Sequence, residues 1–159
     1  MKVLVDTNVA LDYLLHRKDY IFAMGIFGMA EKKYITGYIS ASAITDIFFL
    51  AKGKLGKKST KEALKDLLNV FLPATVYDKH IYKALDLDWD DFEDSVQYVV
   101  GEGLSVDYII TRNIQDFSSS SIDHGNILEI MYNLIDEYTA FIFHAMRCRK
   151  AFRMLRNQD

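Results

Sequence analysis

The 159-residue chain is poor in the residues that would simplify its reading. It has one cysteine, Cys148, so an internal disulfide and a cysteine-cluster metal site are both excluded. It has one proline, Pro73, and no low-complexity tract beyond the serines at 118–121, which excludes a proline-rich or low-complexity disordered chain. No apolar run reaches membrane-spanning length, and Asp6 interrupts the region where a signal peptide would be apolar. A cytoplasmic location is expected. Only four histidines occur (16, 80, 124 and 144), and none falls where the acids discussed below recur. No glycine-rich phosphate loop is present.

What is there is the composition of a folded domain. Half the residues are hydrophobic and 13% are aromatic, in a chain long enough to bury a substantial core. The net charge of −3 is uneven. Residues 138–159 carry Arg147, Arg149, Lys150, Arg153 and Arg156 against Asp159 alone, so an acidic body precedes a basic tail. The tail fits an anionic partner and equally fits a solvated helix face.

Short apolar strands alternate with amphipathic helices along the chain. Val3–Val5, Tyr34–Ser40, Pro73–Val76 and Val106–Thr111 are expected strands. Asn8–Leu15, Tyr20–Lys33, Ser42–Lys52, Thr60–Val70, Lys79–Leu87 and Phe92–Gly101 are expected helices, with a glycine- and lysine-rich turn over Lys52–Lys61. This alternation argues for an α/β fold with a central parallel sheet covered on both faces. In such folds ligands bind beyond the carboxyl ends of the strands.

The acids recur at that edge. Asp6 ends the first strand, Asp46 lies in the helix after the second, Asp91, Glu93 and Asp94 open the helix before the fourth, and Asn113 and Asp116 follow the fourth. Several carboxylates converging without histidine or cysteine suit a hard cation such as Mg²⁺ or Mn²⁺. The fitting reaction is hydrolysis of a phosphodiester, because carboxylates alone repel that anion and a metal offsets the repulsion. Each acid also has a structural reading: Asp91, Glu93 and Asp94 suit a helix start, Asp46 and Asp12 suit a polar helix face, and Asp6 suits a cap. Two rival chemistries fit less well. A haloacid-dehalogenase-type phosphatase needs a second aspartate two positions after the first, where Asn8 stands. A receiver domain needs its phosphoacceptor after a middle strand and a lysine after a late one.

Four segments, VLVDTNVALDYL, ISASAITDIFFLAK, DFEDSVQYVV and DYIITRNIQDF, resemble the signature segments of the PIN domain in order and spacing, over residues 3–117. Within that family the chain is similar to the small prokaryotic single-domain type that includes VapC toxins. The resemblance implies a three-layer α/β/α sandwich and a Mg²⁺- or Mn²⁺-dependent nuclease, usually an endoribonuclease, leaving a 5′-phosphate and a 3′-hydroxyl. It implies that Asp6, Asp46, Asp94 and Asp116 hold the metal and carry catalysis, with Thr7, Asn8, Asp91, Thr111 and Asn113 supporting them. Arg112, Lys52 and Lys54 are candidate contacts to nucleic acid. The implied partners are an RNA substrate, an antitoxin protein and a second copy of the chain, without a membrane.

Three features depart from the family pattern. Asp46 stands where glutamate is usual, Asn113 is neutral, and the chain runs on past the fourth segment. The expected organisation is a PIN-like domain over residues 1–137 and a basic helical extension over 138–159. Ile127, Leu128, Ile130, Met131, Leu134, Ile135 and Tyr138 give a helical stripe. The extension suits a dimer arm, an antitoxin-type contact, an RNA-facing helix, or one more helix over the sheet. A nucleic-acid-binding module with weak or no catalysis is the second reading, motivated by Asp46 and Asn113.

Overall fold

The computed structural model describes residues 1–112, 127–132 and 141–146. Strand β1 (Lys2–Val5) enters the core at once: Val3, Leu4 and Val5 are fully buried. Their side chains alternate between faces, so Val3 and Val5 pack on one side of the sheet and Leu4 on the other. An apolar residue at every position is what a strand covered on both faces requires.

Helices α1 (Thr7–Leu14) and α2 (Tyr20–Glu31) follow, and β2 (Thr36–Ser40) then returns parallel to β1 in the register Val3 opposite Gly37. Ser40 ends β2 and caps α3 (Ala41–Leu55) by accepting from the Ala43 N–H at 3.0 Å. Helix α4 (Lys57–Val70) comes next, after a single residue, Gly56, at φ 78°. The left-handed backbone there suits glycine. The lysine-rich turn expected over Lys52–Lys61 is therefore two helix ends, with Gly56 alone supplying the break.

Strand β3 (Leu72–Ala74) pairs parallel with β2. Helices α5 (Asp78–Leu85) and α6 (Phe92–Gly103) lead to β4 (Tyr108–Thr111), which pairs with β1 on its other side, Leu4 opposite Ile109. Two more strands complete the sheet: β5 (Ile127–Tyr132), parallel to β4, and β6 (Phe141–Met146), antiparallel to β5. The order is β3-β2-β1-β4-β5-β6.

One core lies between the sheet and α1 to α4, and the other between the sheet and α5 and α6. This is the expected α/β three-layer arrangement with a parallel centre. On the first side the Phe71 ring lies over Gly37 so closely that a Cβ there would stand 2.3 Å from its edge.

The C-terminal part corrects the sequence reading. The helix expected over Ile127–Tyr138 is a strand through Tyr132, and the expected helical extension contains a strand at Phe141–Met146. Apolar pairs spaced at 127–128 and 130–131 fit a helical stripe and a buried strand alike. The β-branched and aromatic content of ILEIMY and FIFHAM, with an open sheet edge at β4 to extend, favours the strand. The expected domain boundary at residue 137 lies outside the described residues.

Strands added after β1 go to one side of it up to β3, and to the other side from β4 onward. The chain thus creates a switch point between the carboxyl ends of β1 and β4, the position at which open α/β sheets form ligand crevices.

Candidate active site

Asp6 stands at that switch point. Its backbone N–H continues the ladder to β4 by donating to the Ile110 carbonyl at 3.0 Å, and its own carbonyl accepts from the N–H groups of Val9 and Ala10. It is the N-cap of α1 in extended backbone conformation, with Oδ1 accepting from the Asn8 N–H at 3.3 Å. The carboxylate is 2% exposed. Thr111, at the end of β4, donates its hydroxyl to Oδ2 at 2.9 Å, and Gln97 Nε2 donates to Oδ1 at 3.3 Å. Burial raises the Asp6 pKa above the ordinary carboxylate value, against the opposing pull of these hydrogen bonds and of the Arg112 charge.

Helix α6 brings the other acids. Asp91 caps it, its Oδ1 accepting from the N–H groups of Glu93 at 2.8 Å and Asp94 at 3.2 Å. Glu93 accepts from the Thr7 hydroxyl and from Gln97 Nε2 at 3.4 Å. Asp94 is buried, with Oδ1 3.5 Å from the same Gln97 nitrogen. The Glu93 pKa is raised by burial first and then by the like charges of Asp46, Asp6 and Asp91, against the lowering effect of Thr7. Asp46, the first of those like charges, is half-buried in the second turn of α3.

The structure brings Asp6, Thr7, Asn8, Asp91, Asp94 and Thr111 together through these hydrogen bonds, and the Asp46 charge acts on Glu93. It adds two residues not assigned to the site from sequence, Glu93 and Gln97. Both had a signal: Glu93 and Gln97 are four apart and Asp94 and Gln97 three apart, so all three lie on one face of α6. Asn113 and Asp116 lie outside the described residues. Lys52 and Lys54 are exposed in the last turn of α3, ~9 Å of helix rise or more beyond Asp46.

Arg112 is paired with acids of the N-terminal segment. Its guanidinium donates from Nη1 to both carboxylate oxygens of Asp12, at 3.1 and 3.3 Å, and stands 3.7 Å from Asp19. Asp12 is the acid six positions after Asp6. Its side chain is 2% exposed, and burial raises its pKa although Arg112 and Arg17 pull it down. Beside the pair lies a cavity of about 190 Å³ lined by Val9, Asp12, Asp19, Phe22, Thr111 and Arg112.

Among the described residues no three His, Cys, Asp or Glu side chains approach closely enough to form a finished metal cage. The donor chemistry still fits a hard divalent cation. The gathered side chains offer carboxylate, hydroxyl and amide oxygens, and burial of like charges creates a demand for a counter-ion. The centre of the group is taken by the partly positive amide nitrogen of Gln97.

The family model of the PIN domain matches residues 2–115. The chain belongs to the PIN domain family. No curated protein gives a significant sequence match. Solved PIN structures share the fold. VapBC2 from Rickettsia felis, solved with a promoter DNA fragment, superposes with a TM-score of 0.60 at 15% identity over 76% of this chain and 94% of that one. VapC20 of Mycobacterium tuberculosis, described as a sarcin-ricin loop cleaving toxin, gives 0.59 at 12% identity over 76% and 98%. A Klebsiella pneumoniae toxin–antitoxin complex gives 0.56 at 20% identity over 75% and 92%. Among the described residues no helix is long and apolar enough to cross a membrane.

Proposed function

We propose that this PIN protein is a divalent-metal-dependent nuclease, an endoribonuclease that serves as the toxin of a type II toxin–antitoxin module. The observation that carries the proposal is the convergence of Asp6, Glu93 and Asp94 on Gln97 at the switch point of the sheet. An RNA substrate is supported by VapC20, a toxin that cleaves the sarcin-ricin loop, and an antitoxin partner by the complexes among the similar structures. The cytoplasm and a homodimer are the corresponding setting and assembly.

Asp6 is the central ligand in this reading, with Asp94, Asp46 and Asp116 completing the set and Glu93 beside them. A Mg²⁺ or Mn²⁺ ion held by these residues would supply positive charge against an anionic phosphodiester and lower the pKa of water. The protein's own part is orientation. Thr111 and the Asn8 N–H fix the two oxygens of Asp6, so its ligand geometry does not depend on solvent. Thr7 holds Glu93 across from Asp6. Asp91 fixes the start of α6, which carries Glu93, Asp94 and Gln97 on one face.

The second reading is a nucleic-acid-binding PIN module with weak or no catalysis. It draws on Asp46, one methylene shorter than glutamate, and on the lack of a finished three-ligand cage among the described residues. A Mn²⁺ titration by calorimetry, paired with an RNA cleavage assay on the parent and on Asp6→Asn, separates the two. The nuclease reading requires metal binding and cleavage that both depend on Asp6.

A further inference from the structure

Gln97 makes an arrangement that capping and packing do not explain. It is fully buried in the middle of α6. Its Nε2 lies 3.3 Å from Asp6, 3.4 Å from Glu93 and 3.5 Å from Asp94. An amide nitrogen has two hydrogens and faces three acceptors, all at the long end of the hydrogen-bond range, so it is shared among them rather than committed to one. The other end of the same amide is unsatisfied: Gln97 Oε1 is buried and has no hydrogen-bond partner. Buried carbonyl oxygens without a partner are uncommon in folded proteins.

A neutral bridge between carboxylates accounts for the nitrogen but not for the oxygen. A half-turn about the Cγ–Cδ bond exchanges the two atoms without changing the shape of the side chain. That turn brings the free oxygen to the point on which the carboxylates converge. A hard cation at that point would repel N–H donors and take up a neutral oxygen.

We propose that Gln97 is a positioning residue for the divalent cation, whose amide presents Nε2 to the carboxylates in the metal-free protein and Oε1 to the cation or its water shell in the loaded one. The inference rests on the metal-dependent reading of the site. In the metal-free state the amide keeps the acids from repelling one another. In the loaded state it adds an oxygen without adding charge, so the site keeps charge to spare for an anionic substrate.

The test is Mn²⁺ calorimetry on the full chain, comparing the parent with Gln97→Met and Gln97→Glu. If the amide oxygen serves the cation, Gln97→Met weakens Mn²⁺ binding about 10-fold or more, and Gln97→Glu binds at least as tightly as the parent. If the amide only plugs the site, removing it relieves competition, so Gln97→Met binding Mn²⁺ as tightly as the parent or tighter overturns the proposal. Should Gln97→Met fail to fold, Gln97→Glu decides by itself, and binding weaker than the parent's overturns it. A parent that binds no Mn²⁺ removes the metal-dependent reading and this inference together. A binding parent with an indifferent Gln97→Met removes this inference alone. As a second readout, Mg²⁺ should shift the side-chain amide NMR signals of Gln97, and unchanged signals at saturating Mg²⁺ count against it.

Discussion

The Thr111 hydroxyl donates to Asp6 Oδ2 at 2.9 Å, tying the ends of β4 and β1 together across the switch point of the sheet. The two residues are 105 apart in sequence, and both are buried. One bond thus joins the sheet's closure to the orientation of its central carboxylate. Thr111→Val keeps the shape and removes the donor. It is expected to lower Mn²⁺ affinity and RNA cleavage about 10- to 100-fold, with Thr111→Ser restoring most of both. Calorimetry and initial cleavage rates check this.

The buried acids make the metal-free protein less stable than its fold allows. The pKa of Asp6 is raised in the folded state, so the native form holds its proton more tightly than the unfolded chain. Asp6's contribution to stability is then present below the ordinary carboxylate pKa and is lost as pH rises through the higher folded value. Glu93 acts in the same direction. Asp6→Asn is therefore expected to raise the metal-free Tm at neutral pH. Mn²⁺ should raise the Tm of the parent, by about 5–10 °C at 100 times its Kd, and leave Asp6→Asn nearly unmoved. Thermal scans with and without Mn²⁺ across a pH series test both statements, and the Mn²⁺ effect should grow as pH rises through the raised carboxylate pKa values.

Arg112 is expected to act on stability before it acts on RNA. Arg112→Ala leaves Asp12 buried beside Arg17, which stands 3.9 Å away. The cost should be about 2–3 kcal/mol, below that of a fully buried pair, because the Arg112 side chain is 43% exposed. Asp12→Asn in the same background should recover part of the loss. Urea unfolding of the two single variants and the double variant measures the coupling. A loss of RNA affinity with unchanged stability would assign Arg112 to the substrate instead.

Gly37→Ala tests the packing of β2 against Phe71, the residue that follows α4. The new methyl would meet the buried Phe71 ring at 2.3 Å and 2.5 Å, so the ring must move. A loss of about 1–3 kcal/mol is expected, with Mn²⁺ affinity unchanged because the site lies at the other end of the strands. Chemical denaturation with a parallel calorimetric titration checks the pair.

The centre of the fold was legible because it obeys local rules. Val3-Leu4-Val5 is apolar on both faces and runs into an acid, which fixes a buried strand and its exit toward the ligand edge. The acids of the second and third segments were legible as positions on helices of known start. Residues 127–132 were misread because ILEIMY satisfies helical and strand patterns at once, and only the free side of β4 decides between them. Glu93 and Gln97 went unassigned because a carboxylate at a helix start reads as a cap, and a glutamine among apolar residues reads as a neutral helix former. Their role depends on α6 packing against the end of β1, which no local pattern encodes. The pairing of Asp12 with Arg112 was hidden by their separation of 100 positions in the chain.

In the proposed function Asp6 organises a divalent-metal site that cleaves RNA. Its most direct measurement is a Mn²⁺ titration by calorimetry of the parent and Asp6→Asn, with cleavage followed in the same samples. The parent is expected to bind Mn²⁺ and cleave, and Asp6→Asn to lose ~100-fold or more in affinity and cleavage together. A parent that binds no divalent ion, or cleavage that survives Asp6→Asn, contradicts it.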